Sequence, residues 1–430
     1  MNDRLEVFEG DVSIRDGRIA AIGPAIPELH DRTIDARGGY ILPGFIQTHV
    51  HLCQTLFRGF ADDLPLMDWL RRRVWPMEAA HTPHSLRVAA RLATTELLSG
   101  GTTAVLTMET VHDTDAVFEA VAESGLRATI GKCMMDSNPE VPRRLQEETR
   151  RSIDESVALR TRWHGASNGR LRAAFAPRFA VSCSRELLEA VAALSAGDNT
   201  LVHTHASESP EELRIVRGIS GGMNNVEYLT SVGLASSRLC AAHCVWVDED
   251  EQQLLADHDV KVLHCPGSNL KLGSGIAPVA DMMARGITVS LGADGAACNN
   301  RLDMFEEMRL AAVLQAMRRT PGILPARDVL WMATRNGART MNLDAEIGSI
   351  ETGKRADLIV VDRDRPHLAP GIDPYSTIVY AGRGSDVRTT IVDGEVLVDD
   401  FMPVRVDRAE VATEARRVAR ELASKAGVLA

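Results

Sequence analysis

The stretch YILPGFIQTHVHL (residues 40–52) runs from an apolar, β-branched segment into a His-x-His pair, and its reading decides what must surround it. Residues two apart on a strand share a face, so His49 and His51 turn both imidazoles to the same side at the end of the run. Two aligned imidazoles suit Zn2+ or Fe2+. Taken alone, such a pair is as much a core feature as a ligand pair. Its meaning rests on what other segments bring to the same edge.

Outward from this stretch, one grammar recurs to about residue 320: a short apolar run, a polar turn, then a segment of helical periodicity. The runs are Tyr40 to His51, Thr102 to Met108, Leu126 to Met135, Leu171 to Phe179, Thr200 to His205, Arg238 to Val245, Val260 to Cys265 and Ile287 to Gly292, eight in all. Segments such as Ser85 to Ser99, Asp113 to Ser124, Ser184 to Leu194, Glu249 to Ala256 and Met304 to Met317 carry apolar residues three and four apart. Parallel strands need long right-handed crossovers, and eight of them close, so the pattern predicts an α/β fold with a (β/α)8 barrel. A doubly wound open sheet is the competing architecture.

The two ends read differently. VSIRDGRIAAI (residues 12–22) and TTIVDGEVLV (residues 389–398) each set an Asp-Gly turn between alternating strands, and DLIVVD (residues 357–362) adds another strand. These predict a small β-sandwich domain from residues 1–42 and 345–430 beside a barrel of residues 43–344. Only eleven residues precede Val12, so its first strand is expected to be thin, through a shortened sheet or a start codon assigned downstream. Gly/Ser-rich stretches at residues 218–222 and 267–275 are expected as loops over the barrel mouth.

A chain of 430 residues with 45% hydrophobic content can bury a large core. Its net charge of −11 argues against a nucleic-acid groove or an acidic membrane surface, leaving a small molecule as the expected partner. Seven cysteines without a Cys-x-x-Cys pair read as reduced, buried thiols. The N-terminus has charges where a secretory signal needs apolar residues, and no run approaches the roughly 18 apolar residues of a membrane span. A cytoplasmic protein is expected.

Further strand ends carry chemistry: VHTHASES (residues 202–209), AAHC (241–244), LHCPGSN (263–269) and LGADGA (291–296). Barrel active sites are assembled at C-terminal strand ends, and buried structural histidines with a turn aspartate would not all gather there by accident. The segments PGFIQTHVHL, TLFRGFADDL (residues 55–64), HASES, AAHC, SNLKLGSGIAPV (268–279), LGADGAACNN (291–300) and GSIETGKRADLIVVD (348–362) stand in the order of the amidohydrolase superfamily. Over most of its length the chain resembles that family's S-adenosylhomocysteine and methylthioadenosine deaminases, guanine deaminases and triazine hydrolases.

The resemblance implies one divalent ion, Zn2+ before Fe2+, held by His49, His51, His205 and Asp294, with Glu208 and His243 beside its water. A homodimer or homotetramer is the expected assembly. Lys132 falls on the third strand rather than the fourth, so no lysine is placed to bridge a second metal. His203 shares a strand face with His205, but the family ligand is the histidine followed after two residues by Glu, which makes His203 a supporting residue. Imidazoles and one carboxylate around an ion leave a position for water and lower its pKa toward about 7. Glu208 could then carry a proton to a ring nitrogen, while His243 and Asp294 handle the water and the departing ammonia.

DDLPLMDWLRRRVWPMEAAH (residues 62–81) resembles the segment whose Trp and Glu hold ribose in the adenosine-type enzymes, which implicates Trp69 and Glu78. The plainer reading makes Trp69, Leu70 and Val74 a buried helix face and Glu78 its solvated end. APRFAVSC (residues 176–183) instead resembles guanine deaminases, and the Arg178 fork suits a carbonyl oxygen beside a ring nitrogen. His264 is either a substrate contact or a core hydrogen-bonding residue. Hydrolytic deamination of an adenosine-type nucleoside such as S-adenosylhomocysteine, methylthioadenosine or 5'-deoxyadenosine is the expected activity. The alternatives are a guanine- or pterin-type deaminase, an s-triazine hydrolase, and a non-catalytic scaffold.

Overall fold

In the computed structural model, which describes residues 2, 6–26, 31–138 and 140–429, strands β1 (Asp11–Arg15) and β2 (Arg18–Gly23) form the first expected hairpin. Its turn residues Asp16 and Gly17 have φ of 52° and 76°, the left-handed pair a two-residue hairpin requires. β3 (Tyr40–Pro43) then leads into β4 (Phe45–His51). The parallel set continues with β5 (Thr102–Met108), β6 (Arg127–Met134), β7 (Leu171–Pro177), β8 (Val202–Ala206), β9 (Leu239–His243), β10 (Lys261–His264), β11 (Val289–Leu291) and β12 (Asp294–Gly295). Neighbours pair in chain order from β4 to β11, and β12 returns to pair with β4. The two ends of the sheet are one stretch of chain, so the sheet closes as the predicted barrel.

Two irregularities in this closure position the site. Along the β4–β5 ladder, Gln47 pairs with Val105 but Val50 with Thr107, so three steps on β4 span two on β5. A bulge of this kind re-aims side chains. The second break lies between β11 and β12. A Cβ on Gly292 would come within 2.5 Å of the His49 carbonyl oxygen, so only glycine lets the eighth segment pass this close. The chain then sets Asp294 opposite Val50, between His49 and His51.

On the N-terminal side of these residues, Ile46, Ala104, Leu106, Ala174, Cys240, Ala242 and Leu263 pack with Ala338 and Met341 as one buried cluster. Helices follow the strands, including Pro83–Ser99, closed at its start by a reciprocal Thr82–Ser85 capping box. A five-stranded antiparallel sheet, ordered β16-β15-β14-β13-β3, combines β3 with β13 (Leu358–Val361), β14 (Val387–Val392), β15 (Glu395–Asp399) and β16 (Met402–Pro403). The turns of the two hairpins meet, since a Cβ on Gly394 would stand 2.8 Å from the Gly17 Cα. Buried Arg127 ties this unit to the barrel through paired hydrogen bonds of 2.7 and 3.0 Å to Asp357.

All seven cysteines are buried free thiols. Among the described residues, no helix is long and apolar enough to cross a membrane. Three segments depart from the sequence reading: the stretches expected as loops at residues 218–222 and 267–275 are partly helical, within Pro210–Ser220 and Pro266–Lys271, and Arg408–Lys425 is an amphipathic helix whose Val411, Ala415, Val418 and Leu422 are buried, packed on the helix Pro83–Ser99. The four- and three-residue spacing of those apolar positions is the signal that reveals it.

Residues 66–80 are helical with a π-helical turn at Leu70–Val74, an irregularity common near functional sites. His81 follows, fully enclosed, with Nδ1 2.8 Å from Ser85 Oγ and Nε2 3.1 Å from the Cys53 carbonyl. Burial lowers its pKa to about 3. The unfolded chain therefore takes up a proton near pH 6.5 that the folded chain refuses, and stability from this group, complete above that pH, is lost as pH falls. The expected cost is about 1.4 kcal/mol per pH unit in this window. Chemical denaturation at pH 7 and 5 should show His81→Gln losing less stability than the parent by one such proton, and equal slopes would refute the assignment.

Candidate metal centre and active site

His49, His51, His205 and Asp294 each offer a ligand atom within 4.8 Å of all the others, and all four residues are buried. Their orientation is fixed from behind. His51 Nδ1 lies 2.6 Å from the Met108 carbonyl and His205 Nδ1 2.7 Å from the Arg178 carbonyl. A carbonyl can only accept, so each Nδ1 carries the hydrogen and each Nε2 turns a lone pair inward. His49 Nδ1 lies 2.6 Å from Nε2 of His203, a ring that burial keeps well below its usual pKa and therefore neutral. His203 is thus the supporting residue the sequence reading made it.

The inward atoms fit a cation. His51 and His205 bring their Nε2 atoms to 3.3 Å, a contact between two lone pairs unless a positive centre lies between them. His49 Nε2 is buried without a hydrogen-bond partner. Both His49 and His51 Nε2 stand 3.2 Å from Asp294 Oδ1. Three imidazoles and one carboxylate, each imidazole backed by an outer hydrogen bond, are a donor set for Zn2+ or Fe2+.

Beside the cluster stand groups that handle protons. His243 donates from Nδ1 to Asn269 Oδ1 at 2.8 Å, which aims its unpartnered Nε2 at Glu208 Oε2, 3.6 Å away, and Asp294 Oδ2, 3.9 Å away. Glu208 is 4% exposed, so it is no solvated helix-start residue. Ser209 starts that helix by accepting from the Glu212 N–H at 3.2 Å. Burial, reinforced by Asp294 and Glu212, pushes the Glu208 pKa well above the ordinary value and favours its acid form. Ser207, His243, Cys244 and Asp294 all have positive φ, between 46° and 74°. Backbone strain of about 1–3 kcal/mol each is typical of functional strand ends.

Sequence reasoning missed the layer that holds these groups. Ser268 donates to Asp294 Oδ2 at 2.7 Å and Asn269 orients His243, both from the short helix Pro266–Lys271. Glu109 receives the Leu52 and Cys53 N–H groups at 3.1 and 2.9 Å and fixes the turn after His51. SNLKLGSG was legible as a motif, but nothing in it says which side chain supports which ligand.

The residues expected to choose the substrate prove to be partners. Arg178 Nη1 and Nη2 donate to Glu78 Oε2 and Oε1 at 2.6 and 3.2 Å, and Gln54 Nε2 donates to Glu78 Oε1 at 3.1 Å. Glu78 is 3% exposed, not a solvated helix end. Trp69 is buried as well, with an unpartnered Nε1. Lys132 sits apart, paired with Glu147 at 2.5 Å. His264 is 1% exposed with neither ring nitrogen bonded, and burial lowers its pKa to about 3.

The amidohydrolase family model matches residues 40–397. The chain belongs to the amidohydrolase family. As a member it is a hydrolase, and two similar relatives narrow the class. A protein of Methanosarcina mazei named 5'-deoxyadenosine deaminase is 40% identical over 98% of this chain and 96% of its own length. A protein of Desulforudis audaxviator named 5-methylthioadenosine/S-adenosylhomocysteine deaminase is 40% identical over 96% of this chain and 95% of its own. Among solved structures, an adenosine deaminase from Xanthomonas campestris with bound zinc superposes with a TM-score of 0.92 at 31% identity, covering 97% of this chain and 94% of that one.

Proposed function

We propose that this hydrolase acts on the C–N bond of a cyclic amidine, replacing the exocyclic amino group of an adenosine-type nucleoside by hydroxyl and releasing ammonia. 5'-Deoxyadenosine, methylthioadenosine and S-adenosylhomocysteine are the candidates, as the names of the relatives suggest. The carrying observation is the file of proton-handling groups beside the four converging ligands: Glu208 Oε2, then His243 Nε2 at 3.6 Å, then Asp294 Oδ2 at 3.9 Å. A divalent ion held by His49, His51, His205 and Asp294, Zn2+ in our reading, would supply a water acidic enough to attack at neutral pH.

The chain's own residues do the rest. Glu208, kept in its acid form, gives a proton to the ring nitrogen as the adjacent carbon is attacked. His243 Nε2, held by Asn269, accepts a hydrogen bond from the attacking group, and Asp294 Oδ2 is the neighbouring carboxylate that receives its proton. The proton held on Asp294 then goes to the departing amine, which leaves as ammonia, and the hydroxyl proton of the collapsing intermediate returns to Glu208. Arg178, occupied by Glu78, is not free to take an oxo group, which is why the oxo-purine reading ranks below the nucleoside one.

Ammonia release from 5'-deoxyadenosine, methylthioadenosine, S-adenosylhomocysteine, guanine, a pterin and melamine, alongside chloride release from a chlorotriazine, tests the proposal. Ammonia from the adenine nucleosides with little from guanine is the expected result. Chloride release without ammonia from any nucleoside would sink it in favour of the triazine chemistry.

A further inference from the structure

Glu307 is a buried carboxylate that the mechanism leaves unused. It is 1% exposed, on the helix Met304–Arg318, and stands apart from the four converging ligand groups. Both its oxygens accept hydrogen bonds. Oε2 takes the Gly267 N–H at 3.0 Å, and Oε1 takes Asn299 Nδ2 at 2.7 Å. One donor on each oxygen is the pattern of a carboxylate rather than of an acid. Burial pushes its pKa up to about 8, and the two donors pull against that shift.

Each donor leads to the active site by one further step. Gly267 lies in the first turn of the short helix Pro266–Lys271. The next two residues are Ser268, which donates to Asp294 Oδ2 at 2.7 Å, and Asn269, which holds His243 Nδ1 at 2.8 Å. Asn299 Nδ2 also donates to the carbonyl of Ala293, the residue before Asp294, at 2.8 Å. Glu307 therefore joins the backbone that carries Asp294 to the helix whose side chains hold Asp294 and His243. The fit is close, since a Cβ on Gly267 would come within 2.5 Å of Glu307 Oε1 and 2.7 Å of Asn299 Nδ2. The helix that carries Glu307 is fixed in turn to the start of β4, where Phe305 packs edge-on against Phe45 with ring centroids 5.0 Å apart.

We propose that Glu307 is a positioning residue for this reaction, which acts through Gly267 and Asn299 to set Asp294 Oδ2 against His243 Nε2, the pair that takes the proton of the attacking group. It touches neither the substrate nor a ligand side chain. Its expected effect on turnover rests on the deaminase reading above, whereas its expected effect on metal affinity rests on the ligand cluster alone.

The test uses the full-length enzyme at about pH 9, above the Glu307 pKa, so that the carboxylate is the form present. Glu307→Gln keeps the shape but brings one acceptor and an NH2 group, so one of the two N–H donors loses its partner. Gly267→Ala leaves the carboxylate in place and wedges the same contacts apart, and it decides if the first variant misfolds. In either variant, kcat per bound metal for 5'-deoxyadenosine should fall by about 10-fold with KM within about twofold of the parent, and Zn2+ affinity, read by competition with a chromophoric chelator, should weaken by about 10-fold. In an Asn269→Ala background the further loss of kcat on Glu307→Gln should shrink to about threefold or less, because residues that act through one network are not additive. A full additive loss in that background would overturn the proposal. A lowered melting temperature with parental kcat per metal and parental Zn2+ affinity would also overturn it, leaving Glu307 a structural prop. Should the wild type release no ammonia from any nucleoside, the deaminase reading falls, and the Zn2+ affinities still decide the role of Glu307.

Discussion

Glu208→Gln is expected to keep its fold and its metal and to lose turnover by about 10^2- to 10^4-fold, the usual worth of a positioned general acid. The substitution is close to isosteric and spares the local structure. The Glu208 backbone N–H still donates to Glu212 Oε2 at 2.6 Å, and Ser209 still caps its helix. What disappears is a proton that can leave. Burial holds the Glu208 acid form well above the ordinary carboxyl pKa, so the parent can donate near neutrality, whereas an amide cannot donate and be reprotonated. Metal content by elemental analysis beside kcat for 5'-deoxyadenosine checks the claim. A variant with full metal and near-parental kcat would show that the proton travels by another route.

Asp294→Ala is expected to fail earlier, at the level of the metal. Asp294 brings the only carboxylate among the four converging ligand groups and stands 3.2 Å from two of the three imidazoles. Its removal leaves neutral donors, and activity should fall below detection together with metal occupancy. Metal bound to the folded chain stabilises it by mass action. A chelator should therefore lower the melting temperature of the parent, and added Zn2+ should restore it, while Asp294→Ala should respond to neither. Stoichiometric metal in that variant would exclude Asp294 as a ligand. The contrast with Glu208→Gln separates the two roles: one variant is metal-loaded and slow, the other metal-poor.

Much of this site was legible because its signals are local. Strand and helix periods, the two Asp-Gly turns and the His-x-His alternation are set by neighbours within a few residues, and each formed where the sequence placed it. Asp294 was legible as a strand-end residue for the same reason. The final helix is equally local, its Val411, Ala415, Val418 and Leu422 standing three and four residues apart in a segment that follows the strand-like TTIVDGEVLV.

What the sequence by itself determined, then, is the barrel, the hairpins and the four residues that converge. Only the tertiary structure decided how they converge. The β4 bulge and the Gly292 crossing, which set Asp294 between His49 and His51, arise from closing a sheet whose first and last strands lie some 240 residues apart. The pairing of Glu78 with Arg178, separated by 100 residues, turned two apparently opposed substrate signals into one buried ion pair. Hydrogen-bond partners of this kind follow from which strand ends meet around a closed barrel, and no local period or motif carries that information.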